Sequence, residues 1–207
     1  MSHVRTFVAV ELAGGVKKRA ESLIKKLQTV SSDIAWVPTR NMHLTLKFLG
    51  SVPDVELNDV CRVVKQAVAP VEPFEIVFRG LGAFPNPRQP RTLWLGVEQG
   101  SEEIIELQQA VEQSLQTLRF PKENRRFLPH LTLGRVHLSP GPELDELADI
   151  IEDHAEYDGD LTIVDEVVVM SSFLEHNRPP QYQPIGHCEL GTGPNDGPDH
   201  GPDDRLA

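Results

Sequence analysis

Apolar positions recur along this chain with two periods, and the switches between them lay out its elements. Residues 4–10, Val-Arg-Thr-Phe-Val-Ala-Val, are apolar and β-branched over a short run, which predicts a buried strand ended by Gly14-Gly15. Val16, Ala20, Leu23, Ile24 and Leu27 then follow helical spacing over 16–29, with Lys17, Lys18, Lys25 and Lys26 on the outer face. A short strand over 33–37 stops at Pro38, and an alternating one over 43–49 stops at Gly50. From Pro53-Asp54 to about Val68, a helix turns Val55, Leu57, Val60, Val63, Val64 and Ala67 largely inward. Strands over 74–78 and 92–97 flank a loop rich in turn formers, Phe84-Pro85-Asn86-Pro87-Arg88-Gln89-Pro90. A helix over 102–118, a strand over 127–136 interrupted at Pro129, and a helix over 144–151 come next. A strong strand over 161–170 and a last one over 181–190 complete the pattern. Beyond Gly191 the chain is Gly, Pro and Asp with almost nothing to bury, so residues 191–207 are expected to form a disordered acidic tail after a domain of 1–190.

Strands outnumber helices and several sit in antiparallel-looking pairs, which predicts an α+β fold. At 207 residues the chain can bury a real core without disulfides or metals. Cys61 and Cys188 are too few for a disulfide framework, which points to a reducing cytoplasm. The N-terminus lacks the charged and apolar segments of a secretory leader, and no apolar run is long enough to span a bilayer. With 20 Lys and Arg against 31 Asp and Glu, the net charge of −11 argues against non-specific binding of long nucleic acid, so any phosphate chemistry must be local.

One tetrapeptide occurs twice: His43-Leu44-Thr45-Leu46 and His130-Leu131-Thr132-Leu133. On a strand, alternation sends each His and Thr to one face and the two Leu to the other. The Leu face anchors the strand while the other offers an imidazole beside a hydroxyl. A single His-x-Thr-x fits any half-buried strand, but nothing about a core demands that the pair recur. Two such strands facing a groove suit phosphodiester chemistry. In-line attack at phosphorus needs a base on one side and an acid on the other, and histidine serves as either near neutral pH. The two Thr hydroxyls can bond the non-bridging oxygens as charge builds there. No metal or other cofactor is required, and Lys47, two residues beyond Thr45, is expected on the same face with its charge toward the phosphate.

The chain resembles the two-histidine phosphoesterase superfamily, and within it the bacterial and archaeal RNA 2′,3′-cyclic phosphodiesterases, also called LigT-like 2′-5′ RNA ligases. The resemblance covers about residues 5–190. It is carried by Arg5-Thr6-Phe7-Val8-Ala9-Val10, Trp36-Val37-Pro38, the stretch from Asn41 through both residues of the first motif to Gly50, Phe84-Pro85, Leu93-Trp94-Leu95-Gly96-Val97, and Phe127 through the second motif to Val136. It implies a bilobal fold of two antiparallel-rich sheets with outer helices, related by a pseudo-twofold, with the active-site cleft between the lobes. It further implies hydrolysis of a ribose 2′,3′-cyclic phosphate to a 2′-phosphomonoester without metal or ATP. His43 would be the proton donor and His130 the proton acceptor, an assignment that identical motifs cannot make by themselves. An RNA 5′-hydroxyl in place of water gives 2′-5′ joining. The partners implied are short or tRNA-like RNA 3′ ends carrying the cyclic phosphate, bound by a monomer. A cyclic phosphodiesterase acting on a small nucleotide, and a non-catalytic module that binds RNA ends, are the alternatives.

Other candidates carry two readings each. Arg135 follows the second motif as in the family, yet strict alternation puts it on the Leu face, where an ion pair is as good an explanation as substrate contact. Arg125 and Arg126 can meet RNA phosphates or simply be solvated. Trp36 and Tyr182 can stack a base or pack in the fold. Phe48 alternates with Leu44 and Leu46 and is expected in the core. His137, His154, His176 and His187 share no spacing, and no Cys/His zinc pattern or Gly-rich phosphate loop occurs.

Overall fold

The run Phe7-Val8-Ala9-Val10 is apolar without alternation because its strand is buried on both faces. In the computed structural model, which describes residues 2–30, 33–173 and 179–193, that strand is β1 (His3–Glu11). The elements continue as α1 (Gly14–Leu27), β2 (Ile34–Trp36), β3 (His43–Pro53), α2 (Leu57–Val68), β4 (Phe74–Phe84), β5 (Thr92–Gln99) and α3 (Ser101–Gln116). The chain then forms β6 (His130–Val136), α4 (Pro142–Asp153), β7 (Asp158–Val164), β8 (Glu166–Phe173) and β9 (Gln181–Glu189).

The fold is α+β, built on antiparallel pairing throughout. One hydrogen-bonded path runs β7-β4-β5-β6-β3-β1-β8-β9, with β2 pairing β6 off that path. The two sheets expected from the sequence are thus two four-stranded halves of one sheet, and their join is thin. β3 and β6 share a single registered pair, Leu44 with Leu131. Beyond it β6 changes partner to β2, through Ile34–Val136, Ala35–Arg135 and Trp36–Gly134. The sheet therefore forks at the join, and both motif strands stand at the fork.

The four helices cover one face. Val8, Val10, Leu44, Leu46, Leu131 and Leu133 pack there against Leu23, Val64, Leu107, Leu115 and Leu147 in one continuous core. On the opposite face a smaller apolar cluster, Phe7, Ala9, Val168 and Met170 with Tyr182, floors the other side of β1 and β8.

Two expectations need correction. The strand foreseen over 161–170 is two strands broken at Asp165: β7 pairs β4 in one half, and β8 pairs β1 in the other. The Asp165-Glu166 pair interrupts the apolar run at the point where the chain crosses between halves. The strand foreseen to stop at 78 continues to Phe84 as β4. Gly82 serves close approach, since a Cβ there would collide with the Trp94 ring, and Gly80 takes a positive φ of 82° at the register shift between Arg79 and Leu81. Past the boundary expected at 190, Gly191 N–H donates to Val71 O at 2.7 Å and Gly193 N–H to Ala69 O at 3.0 Å. The rest of the expected tail, 194–207, lies outside the described residues, as does His176. Among the described residues no helix is long and apolar enough to cross a membrane.

Candidate active site

The single Leu44–Leu131 pair fixes how the two motifs meet. Antiparallel register about it places His43 across from Thr132 and Thr45 across from His130, all on the face opposite the buried leucines. The two histidines are then diagonal neighbours, which stand about 7–8 Å apart in such a ladder, with their β-carbons somewhat closer. That interval accommodates one tetrahedral phosphate between two rings.

Both imidazoles are held in the same way. His43 Nδ1 lies 2.7 Å from Asn41 O, and His130 Nδ1 lies 2.7 Å from Leu128 O. A carbonyl can only accept, so each Nδ1 carries a proton and each Nε2 is the free basic nitrogen. The first carbonyl is itself fixed, because Asn41 is buried and its Nδ2 donates to Pro180 O at 2.7 Å. In the sequence, the one signal for Asn41 is its place two residues before the motif histidine.

Rings enclose each histidine. Phe7 stacks on His43 at 4.8 Å, and Tyr182 meets its edge at 5.3 Å. His130 meets Phe84 edge-on at 5.1 Å and Trp94 at 6.4 Å. Burial pushes both histidine pKa values below the usual 6.5, against the opposing pull of the Asn41 and Leu128 carbonyls; the charge of Lys17 lowers His43 further.

At the fork lies a cavity of about 660 Å³, with His43, Thr45, Thr132, Trp36, Arg135 and Tyr182 among its lining residues. His130, half-buried, does not line it, although the register about Leu44–Leu131 sets it opposite Thr45, which does. Trp36 enters because residue 134 is glycine, where a Cβ would come within 2.9 Å of the indole. Burial raises the Tyr182 phenol pKa, while the Arg135 and Arg5 charges act to lower it.

Lys47 is not in the cavity. Its Nζ is buried, 2.8 Å from both Glu112 carboxylate oxygens and 2.9 Å from Pro121 O. The reason is a β-bulge. Along β1 the register passes from Ala9–Thr45 to Val8–Lys47, skipping Leu46. One extra residue exchanges the faces of Lys47 and Phe48, up to a second shift of register at Leu49. Lys47 turns to the helix side, and Phe48, expected in the core, is 74% exposed and lines the cavity. The second motif does the same: β5 pairing passes from Trp94–Thr132 to Leu93–Gly134, skipping Leu133. Arg135, expected on the Leu face, is thereby brought to the motif face and lines the cavity. Arg125 and Arg126 lie exposed between α3 and β6, and neither lines the cavity.

Residues 16–172 match the family model described as the 2′-5′ RNA ligase superfamily. A protein of Methanothermobacter thermautotrophicus named RNA 2′,3′-cyclic phosphodiesterase is 39% identical over 149 residues, 72% of this chain and 78% of its own length. A Thermotoga maritima protein of the same name is 32% identical over 190 residues, 92% of this chain and 97% of its own. Among solved structures, a Thermus thermophilus protein superposes with a TM-score of 0.71 at 26% identity, covering 91% of this chain and 98% of that one. Escherichia coli LigT, crystallised with 3′-AMP, shares the fold with a TM-score of 0.68 at 22% identity, covering 91% of this chain and 99% of its own.

Proposed function

The chain belongs to the 2′-5′ RNA ligase superfamily and is an RNA 2′,3′-cyclic phosphodiesterase of that family; from that premise we propose that it opens the cyclic phosphate at RNA 3′ ends to a 2′-phosphomonoester, using His43 and His130 as acid and base. The observation that carries this reading is the matched pair of imidazoles, each with Nδ1 tied to the carbonyl two residues back and Nε2 free, on strands joined through Leu44–Leu131.

Water enters opposite the 3′ oxygen, and His130 Nε2 takes its proton as the new P–O bond forms. The P–O3′ bond breaks as protonated His43 Nε2 gives its proton to the departing oxygen. The products are a 3′-hydroxyl and a 2′-phosphate, and the two histidines have exchanged charge states. Thr45 and Thr132 donate to the non-bridging oxygens, where hydrogen bonds strengthen as charge gathers. The family resemblance supports giving the acid role to His43. With an RNA 5′-hydroxyl held in the water's place, the same groups would form a 2′-5′ bond, which requires positioning to compete with bulk water.

The test is product analysis. An oligonucleotide ending in a 2′,3′-cyclic phosphate is incubated with the protein and excess EDTA. The expected product is the 2′-phosphomonoester, formed at the rate seen without chelator. A 3′-phosphate product, or loss of turnover with EDTA, would overturn the mechanism.

A further inference from the structure

The bulges and pairings that build the motif face also build a second row of donors farther along it. Arg5 on β1 is in register with Ser172 on β8, and Ser172 with Tyr182 on β9. Directly paired residues share a face, and all three line the same cavity as His43 and Thr45. Among the described residues Arg5 forms no ion pair, although the chain carries a net charge of −11. An unpaired guanidinium beside two hydroxyls on a concave surface is a site for an anion.

Its distance from the reacting centre says which anion. Thr45 pairs with Ala9, and Arg5 lies four residues farther along β1, a separation of about 13 Å at strand rise. Between them stand Phe7, buried in the floor, and the exposed ring of Phe48, paired with it in register. Tyr182 bridges this interval, its ring edge-on to His43 at 5.3 Å and its phenol within reach of the Arg5 charge, so the order along the cavity is a phosphate-handling pair, an aromatic surface, and a cationic end at Arg5. A nucleotide end has the same order: its cyclic phosphate, its nucleoside, and the backbone phosphate on its 5′ side.

We propose that Arg5, Ser172 and Tyr182 form a second anion subsite, which takes the phosphodiester 5′ to the terminal nucleoside and makes an oligonucleotide end, rather than a cyclic mononucleotide, the preferred substrate. The subsite rests on the cyclic phosphodiesterase reading of the motif residues. The Arg5 charge also reaches the Tyr182 phenol, which places the two groups at one locus.

Two dinucleotides ending in 2′,3′-cyclic phosphate test it, one with a normal internal phosphodiester and one with an uncharged methylphosphonate there. For the wild-type protein, kcat/KM should favour the charged linkage about tenfold, the scale of one hydrogen bond to a charged group, expressed mainly in KM. In Arg5→Gln that discrimination should fall to about twofold or less. The slope of log kcat/KM against log salt should become shallower by about 0.7 for the charged dinucleotide alone. The methylphosphonate comparison on the wild-type protein stands whether or not the variant folds. Turnover without discrimination by the wild-type protein, or equal discrimination by both proteins, overturns the subsite and leaves the catalytic reading intact. Failure of the wild-type protein to open either dinucleotide overturns the catalytic reading itself, and the subsite with it.

Discussion

A histidine can donate a proton only while charged and accept one only while neutral, so the shifts at the two motif residues set the pH dependence. Both pKa values are lowered, chiefly by burial. The base limb, governed by neutral His130, rises at a pH below the ordinary histidine value, and the acid limb, governed by charged His43, falls there too. The profile of kcat/KM against pH is therefore a bell whose top lies on the acid side of about 6.5. In the complex the phosphodiester anion favours the charged rings, so the kcat profile moves to higher pH. Steady-state rates across the acid and neutral range test both signs. A kcat/KM optimum well above neutrality would mean that the enclosing rings do not control these imidazoles. The same lowering acts on folding. Protons bind the unfolded chain more readily, so stability declines as pH falls below about 6.5 and recovers above it. These residues were legible in the sequence because identical side-chain pairs at identical spacing are improbable by packing alone. Asn41 and Ser172 were not, since each is a common residue whose role exists only through partners distant in the chain.

At the scale of the element, the recurring device is a bulge at the fourth residue of each motif. Strict alternation predicts Lys47 in the cleft and Phe48 in the core, and the skipped Leu46 reverses both. Stability measurements distinguish the two arrangements. Glu112→Leu leaves the Lys47 ammonium buried without its carboxylate, with only the Pro121 carbonyl to accept from it, and should cost about 3–5 kcal/mol in denaturant unfolding. Phe48→Ala removes an exposed ring and should change stability by about 0.5 kcal/mol or less, while raising KM for cyclic-ended RNA. A buried Phe48 would instead cost about 3–5 kcal/mol on truncation. Hydropathy located both motif strands and the four helices to within a few residues, because those periods are long and regular. It could not see the bulges, which change register without changing composition. Nor could it divide the run over 161–170, where only Asp165-Glu166 marks the passage from β7 to β8.

For the molecule as a whole, the thin join between halves is what makes a cleft. One registered pair holds the two motif strands together, and the fork beyond it leaves space that a continuous ladder would fill. The two strand halves and the helices on one face follow from patterning, but the single continuous path does not, since its join involves two residues far apart in the chain. Among the described residues the last tie to the fold is Gly193 N–H on Ala69 O. A chain ended at 190 should melt a few degrees below one ended at 193, having lost two backbone hydrogen bonds. The halves act together only if both imidazoles serve one phosphorus atom. Single-turnover rates on a cyclic-ended dinucleotide, measured for His43→Ala, His130→Ala and the double variant, test that most directly. Each single change should lower the rate by about 10²–10⁴, and the double variant should be no slower than the slower single one, because both groups act in one step. Losses that multiply in the double variant, or a wild-type rate in either single one, would contradict it.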